Sequence, residues 1–389
     1  MRDILKEGWQ DAKSVLTEGL TGHKKAVVEV LLENQRKALL ENAPAVASSA
    51  SHIATLNKVM LPIIRRVYPN VIANEIVAVQ PMTGPVGQIS SLRVRYAETV
   101  GGANGVTAGT EALSPFDIAR FYSGNEDPAN PAAAETTALE GRKGRAINVQ
   151  LVKDTITAKT RRLSATWTFE AAQDAQAQYA LDLEQETLAA VAQEIATEID
   201  QEILLALRRL PGAPTATYNQ NAVSGVATFV GDEHAAFATL VSRVSNLIAS
   251  RTRRGPANWM VVSPAVLTLL QSARTSAFAR TTEGNFDAAT NTQFVGTLNN
   301  SIKVYLDTYA TDNEVAMLGL KKSDQEAALY YAPYVPLMNT PVIIDPETFL
   351  PTVGFMTRYG LKALTDTSSS LGNSADYIGT IQIENLRFI

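Results

Sequence analysis

The chain has 389 residues, of which 46% are hydrophobic and 19% charged, with a formal net charge of −5 and no cysteine. That length is too great for one small core and suits two or three lobes. The acidic balance argues against a dedicated nucleic-acid binder, and the lack of thiols excludes disulfides and thiolate metal sites; no run reaches the roughly 18 apolar residues of a membrane span.

The start, MRDILKEGWQ, mixes acids and bases without an apolar run and reads as no secretory signal, so the chain is expected to be made and kept in a cytoplasm. Residues 1–41 read as helix. Ile4, Leu5, Trp9, Ala12, Val15, Leu16 and Leu20 recur at helical spacing, Thr21-Gly22 breaks the pattern, and Val27, Val30, Leu31, Ala38 and Leu39 resume it. Bases and acids balance here, so a solvated helical hairpin or coiled-coil arm is one reading. Residues 42–54, NAPAVASSASHIA, have the composition of a flexible linker.

The most unusual stretch runs from Leu61 to Tyr96. Arg65-Arg66 follows one apolar run, Val71–Val79 is rich in β-branched residues, and Gln80-Pro81-Met82-Thr83-Gly84-Pro85-Val86-Gly87 reads as a rigid turn with glycines free to take positive φ. Leu92, Val94 and Tyr96 then alternate with Arg93 and Arg95, as in a half-buried strand. Residues 97–141 are rich in Gly, Ala and Pro and carry little apolar periodicity, so no separate core is expected there. Alternation returns over Ile147–Thr168, as one long strand or two with a bend. With 86–96 it describes a long β-hairpin around a flexible tip.

Residues 180–209 form the clearest helix, with Leu188, Val191, Ile195, Ile199, Ile203 and Leu207 on one stripe and Pro211-Gly212 as the stop. A further helix is expected over 232–253. Trp259–Val262 reads as a buried strand, Ser263-Pro264 as a helix start, and Ile302–Leu306, Glu314–Leu318, Ala327–Tyr331, Thr352–Leu364 and Tyr377–Ile383 as strands. Helices mixed with mostly separate strand runs give an α+β class.

Catalytic signals are weak. His23, His52 and His234 lack metal-ligand spacing, Ser263 lacks a nucleophile-elbow context, and Gly101–Gly105 lacks the Lys-Ser/Thr of a phosphate loop. No catalytic, cofactor or metal residue is therefore assigned. Glu194, Glu198 and Glu202 share a helix face that could hold a divalent ion, but a solvated or partner-facing acidic face is preferred. Arg251, Arg253 and Arg254 could touch DNA, though their place at a helix C-terminus explains them without a ligand. Two surfaces are one-signed. Arg142, Lys143, Arg145, Lys153, Lys159, Arg161 and Arg162 face only Asp154, while Asp182, Glu184, Glu186, Glu194, Glu198, Asp200 and Glu202 share 182–202 with no base. Neither offers regular i,i+4 opposite pairs, so docking of the basic surface onto an acidic partner is expected.

The word RRVYPN-VIANEIVAVQPMTGPVGQISSLRVRY, with Tyr334-Val335-Pro336-Leu337 and PETFLPTVGFMTRYG over 346–360 far downstream, closely resembles the major capsid proteins of tailed bacteriophages in their T-even-like, myovirus branch. The resemblance implies an α+β, Hong Kong 97-type capsid fold. Its parts would be a scaffold-like N-terminal segment over 1–41, an N-arm over 42–85 and an extended loop over 86–168. A peripheral domain with the spine helix over 169–210, an axial domain over 211–345 and a return strand over 346–389 would complete it. It implies a shell subunit forming hexamers and pentamers of an icosahedral head in the virion, assembled in the bacterial host cytoplasm around packaged double-stranded DNA that it meets only by non-specific proximity. Further implied partners are scaffold, portal, maturation protease and decoration proteins. Proteases of this branch favour Leu-x-Glu, which ends here at Glu18, Glu33 and Glu41, and Glu41 beside the linker is the preferred cut. Since the family's extended loop overlaps a neighbouring subunit, Arg142, Lys143, Arg145, Arg161 or Arg162 is expected to meet Glu184, Glu186, Glu194 or Glu198 of another copy. The alternatives are a nanocompartment shell of the same fold and an enzyme.

Overall fold

The structure is a computed structural model and describes residues 13–14, 16–18, 20, 22–41, 72–102, 105–110, 112, 119–179, 183–223, 230–252, 254–272, 278–280, 292–299, 301–310, 315–323, 327–340, 342–345, 347–348, 350–363 and 374–386. Helix α1 (Gly22–Glu41) is followed by the one-turn α2 (Ala73–Ile76), β1 (Ala78–Val79) and β2 (Val86–Tyr96). Next come β3 (Ile147–Thr157), β4 (Lys159–Thr166), α3 (Phe169–Tyr179), α4 (Leu183–Arg209), β5 (Ala216–Asn219) and α5 (Val230–Thr252). The chain continues through β6 (Trp259–Val262), α6 (Pro264–Ser272), β7 (Phe278–Arg280), β8 (Thr292–Leu298), β9 (Ile302–Asp307) and β10 (Val315–Gly319). It ends with β11 (Leu329–Asn339), β12 (Ile343–Ile344), β13 (Pro351–Ala363) and β14 (Ile378–Glu384). The class is mixed α+β.

Three sheets result. A five-stranded sheet runs β1-β11-β13-β12 with β4 also on β13, a seven-stranded sheet runs β5-β14-β10-β6-β9-β8-β7, and β2 and β3 form a separate ribbon. The predicted central helix is α4. Its buried stripe, Leu188, Ile195, Ile199, Ile203 and Leu207, carries Ala192, Ala196 and Leu204 beside it, which lets the helix sit close on the main core. Gly212 stops it at φ +70°, a conformation that costs glycine nothing.

Four expectations need correction. β2 and β3 pair without slip from Val86–Thr157 to Tyr96–Ile147, but the ribbon ends there and does not extend to 168. The Ala158 N–H donates to the Pro85 carbonyl at 2.9 Å, and β4 turns away to pair with β13 from Thr166–Thr352 to Lys159–Tyr359. The unpaired edge of β13 takes up the backbone groups that a longer ribbon would leave to solvent. Gly360 makes the crossing possible, because a Cβ there would lie 2.7 Å from Ile156 and 2.9 Å from the Thr157 carbonyl. Ile156 thereby joins a small core of Ala78, Met82, Ile89, Tyr330 and Ala332 that anchors the ribbon's base.

The turn glycines at 84 and 87 are not among the positive-φ residues. Gly87 is needed for room instead: a Cβ would sit 3.0 Å from the Met82 sulfur and 3.1 Å from Ile156. The tip also has a core of its own. Tyr96, Val100, Ala112, Phe121 and Tyr122 are buried together, with the two tyrosine rings 4.6 Å apart. Tyr96 from the end of β2 joins Val100, Phe121 and Tyr122 of the Gly/Ala-rich segment itself to build it.

Finally, α1 is not a solvated arm. Val27, Val28, Leu31 and Leu32 are fully buried in the main core, and each such burial stabilises by about 1.5–3 kcal/mol. Asn34 Nδ2 donates to the Met82 carbonyl (2.8 Å) and the Tyr334 carbonyl (3.0 Å), while Lys24 pairs with Glu75 at 2.7 Å. The helix covers β11, which runs past the strand expected over Ala327–Tyr331. Register shifts between Pro333 and Val335 and between Val335 and Met338 absorb Pro333 and Pro336, and β11 reaches Asn339.

Candidate assembly surfaces

Because β4 lies on β13, Arg161 is opposite Thr357, two residues from Tyr359, and faces α4. Glu198 and Glu202 stand one turn apart on that helix. Arg161 Nη1 donates to Glu198 Oε2 at 2.6 Å, Nη2 donates to Glu202, and Nε donates to both Glu202 and the Tyr359 hydroxyl. The Tyr359 hydroxyl in turn donates to Glu202. Burial pushes the Glu202 carboxyl up, but hydrogen bonds from Tyr359 and Arg161 and the guanidinium charge hold it below the usual range. Burial and Glu202 raise the Tyr359 phenol, which therefore stays protonated and donating. The cluster ties β4, β13 and α4 together.

This corrects the charge argument. Arg161 and Glu198, both expected at an interface between copies, satisfy each other within one chain. The pairing spans 37 positions and depends on β4 leaving the ribbon, which helix-local i,i+4 reasoning cannot see. The same contacts remove the acidic face as a cation site, since a guanidinium occupies Glu198 and Glu202; among the described residues no group of three His, Asp or Glu gathers for a metal. Arg145 is also held locally, at 2.6 Å from Glu126 and 5.8 Å above the Tyr122 ring. Arg142, Lys143, Arg162, Glu186 and Glu194 are exposed, and the Glu184 side chain lies outside the described residues.

The ribbon bears the apolar part of the surface. Ile147, Val149 and Leu151 share one face of β3 at alternate positions and are 52%, 64% and 53% exposed. Their cross-strand partners are Tyr96, Val94 and Leu92. The tip packs over Val94 and Tyr96 but leaves the β3 half of that face bare. Alternation in the sequence located this row without revealing that no described residue covers it.

Of the Leu-x-Glu words, Glu33 lies inside α1 and pairs with Arg36 at 2.6 Å, so its backbone is held in a helix. Glu18 sits in a turn, and Glu41 is the last residue of α1. Arg251 ends α5 and is half-buried; Arg253 lies outside the described residues.

Sequence reasoning missed a buried acid pair. Asp200 was counted with the one-signed acidic surface, yet it faces inward. Its Oδ1 accepts from the Ile72 N–H at 3.0 Å, and its Oδ2 has no partner. Asp307 beside it accepts from Gln201 (3.0 Å), Arg208 (3.2 Å) and the Tyr309 N–H (3.1 Å). Burial, with the Asp307 charge adding to it, pushes Asp200 up to about 8, so it is mostly a neutral acid at pH 7. Its position on the stripe side of α4, next to Ile199 and Ile203, was the signal available.

The family model described as major capsid protein Gp23 matches residues 53–383. The major capsid protein of Vibrio phage KVP40 is 26% identical over 83% of this chain and 80% of its own length. That of Serratia phage KSP90 is 27% identical over 86% and 83%, and that of Enterobacteria phage T4 is 26% identical over 82% and 77%. Among solved structures, the capsid of myovirus XM1 aligns over 79% of this chain and 89% of that one, with 13% identity and a TM-score of 0.44. The mixed α+β class agrees with the one implied by the sequence motifs. The match across residues 53–383 places this chain in the Gp23 family of phage major capsid proteins.

Proposed function

We propose that this major capsid protein tiles the phage head shell by laying its β2–β3 ribbon over a neighbouring copy, in hexamers and pentamers around packaged double-stranded DNA. The observation that carries the reading is the row Ile147, Val149 and Leu151, left bare by the described residues on a ribbon of eleven residue pairs, a surface that a partner would cover. In this reading residues 86–157 are the extended loop and α4 is the spine of a peripheral domain that α1, β4, β11 and β13 complete. The seven-stranded sheet is the axial domain, and no catalytic role is assigned. Exposed Arg142, Lys143 and Arg162 meet exposed Glu186 and Glu194, and Glu184, of another copy, setting register at about 0–1 kcal/mol per pair.

Assembly takes place in the host cytoplasm with scaffold, portal, decoration proteins and a maturation protease, and that protease cuts after Glu41. Cutting there would not release α1 by itself, because its four buried aliphatic side chains and Asn34 still hold it to β11. Electron microscopy of the expressed protein tests the tiling. Closed shells or tubes from the parent, and dispersed subunits from Val149→Asp with Leu151→Asp, are expected. Shells from that variant would refute the ribbon contact. N-terminal sequencing of mature particles that begin at Met1 would refute the cut.

A further inference from the structure

A cavity of about 510 Å³ lies where α1, α2, β9 and the turn after β10 meet. Lys24, Lys303, Lys321 and Lys322 line it, with His23, and among the described residues that line it the sole acid is Glu75. Among these described residues the lysines outnumber the carboxylate by three, in a chain whose net charge is −5. The walls are fixed. Asn258 clamps the Lys321 backbone through its Nδ2 to the carbonyl (2.6 Å) and its Oδ1 to the N–H (2.9 Å). Lys321 Nζ reaches the Asn74 carbonyl at 2.7 Å, and His23 Nε2 lies 2.8 Å from the Val79 carbonyl.

Glu75 does more than one carboxylate can. It is shared by Lys24 at 2.7 Å, Lys303 at 3.4 Å and the Tyr305 hydroxyl at 3.4 Å. Although burial pushes it up, the two ammonium groups hold it below the ordinary carboxylate range. Lys24 also stands in the first turn of α1, which carries no acid there, where the helix dipole already favours negative charge. Lys322 is exposed at the mouth. Like charges gathered from three separate elements, α1, β9 and the turn after β10, repel one another, and an entering anion would relieve that repulsion.

We propose that this cavity binds a multivalent oxyanion of the phosphate class, held by Lys24, Lys303, Lys321 and Lys322, with Glu75 as the internal competitor. A single carboxylate would leave positive charge in excess, whereas a run of phosphates neutralises it, and lysine ammonium groups serve phosphate as mobile point charges. The bound anion bridges α1 to the body of the subunit. The phosphates come either from a nucleic-acid backbone or from free polyphosphate.

The test is titration of the full-length chain with tripolyphosphate, and separately with a short DNA duplex, at fixed ionic strength, by calorimetry and thermal unfolding. Saturable tripolyphosphate binding with Kd below about 1 mM and a raised Tm is expected. Lys303→Gln with Lys322→Gln, both at exposed positions, should weaken it at least about tenfold and abolish the ligand-induced rise in Tm, measured against each protein's own ligand-free melt, and Glu75→Gln should tighten it. Binding of tripolyphosphate without DNA identifies the free source, and binding of DNA that the lysine variant loses identifies the backbone source. No saturation by either probe, or equal affinity in parent and lysine variant, overturns the proposal.

Discussion

Replacing Arg161 separates a contact within the subunit from a contact between subunits. Its guanidinium donates to Glu198 at 2.6 Å and to Glu202 and Tyr359. Hydrogen bonds to charged partners contribute about 1.5–3 kcal/mol each when shielded. The side chains here are 32% exposed for Arg161, 43% for Glu198 and 37% for Glu202, so solvent screening discounts that sum heavily. Arg161→Ala is therefore expected to cost about 2 kcal/mol, most of it from the lost charge-assisted hydrogen bonds, with repulsion between Glu198 and Glu202 one turn apart adding only about 0.2–0.5 kcal/mol. Arg161→Glu should cost about 1 kcal/mol more. Urea unfolding followed by circular dichroism measures both.

The pH dependence gives a second readout. The folded Glu202 carboxyl lies below its unfolded value of 4.5, so its contribution is fully present above that pH and is lost as pH falls through the folded value. Parent stability should drop on acidification below about pH 4.5, and Arg161→Ala should drop less. Arg162→Glu, whose side chain is exposed, should leave the monomer unchanged and reduce shell formation at low salt. Arg161→Ala within about 0.5 kcal/mol of the parent, with an unaltered acid profile, would refute the intrachain account.

Gly360→Ala places a methyl 2.9 Å from the Thr157 carbonyl, a backbone atom that cannot swing aside, so a loss of about 1–3 kcal/mol and a re-aimed ribbon are expected by urea unfolding and limited proteolysis near Ala158. Leu32→Ala should destabilise the whole subunit by about 2–5 kcal/mol, because α1 shares the main core; a change under about 0.5 kcal/mol would mean the helix is not docked in solution. Asp200 has a folded value near 8 against 3.8 unfolded, so its burial costs nothing at pH below 3.8 and progressively more as pH rises towards 8. Asp200→Asn should therefore flatten stability between those limits and make the variant more stable than the parent at pH 8, as urea midpoints at several pH values would report.

The sequence by itself determined the elements whose signal is local. The stripe of α4 repeats at helical spacing, the alternation of 351–363 and of 86–96 matches a pleat, and the words at 80–87 and 346–360 pointed to the capsid family. What those elements face was decided only by the tertiary structure. The break at Ala158 depends on an unpaired edge of β13 and on Gly360, 202 residues away in the chain. The same crossing turned Arg161 from a candidate for a neighbour's acids into the partner of its own Glu198 and Glu202. In the sequence, Asp200 reads like Glu194 or Glu198, because a carboxyl's charge state depends on burial and not on its letter. For α1 the amphipathic pattern was visible, but a pattern names a face without naming what covers it. That assignment came from Asn34 reaching the Tyr334 carbonyl across 300 residues, a contact that no local period encodes.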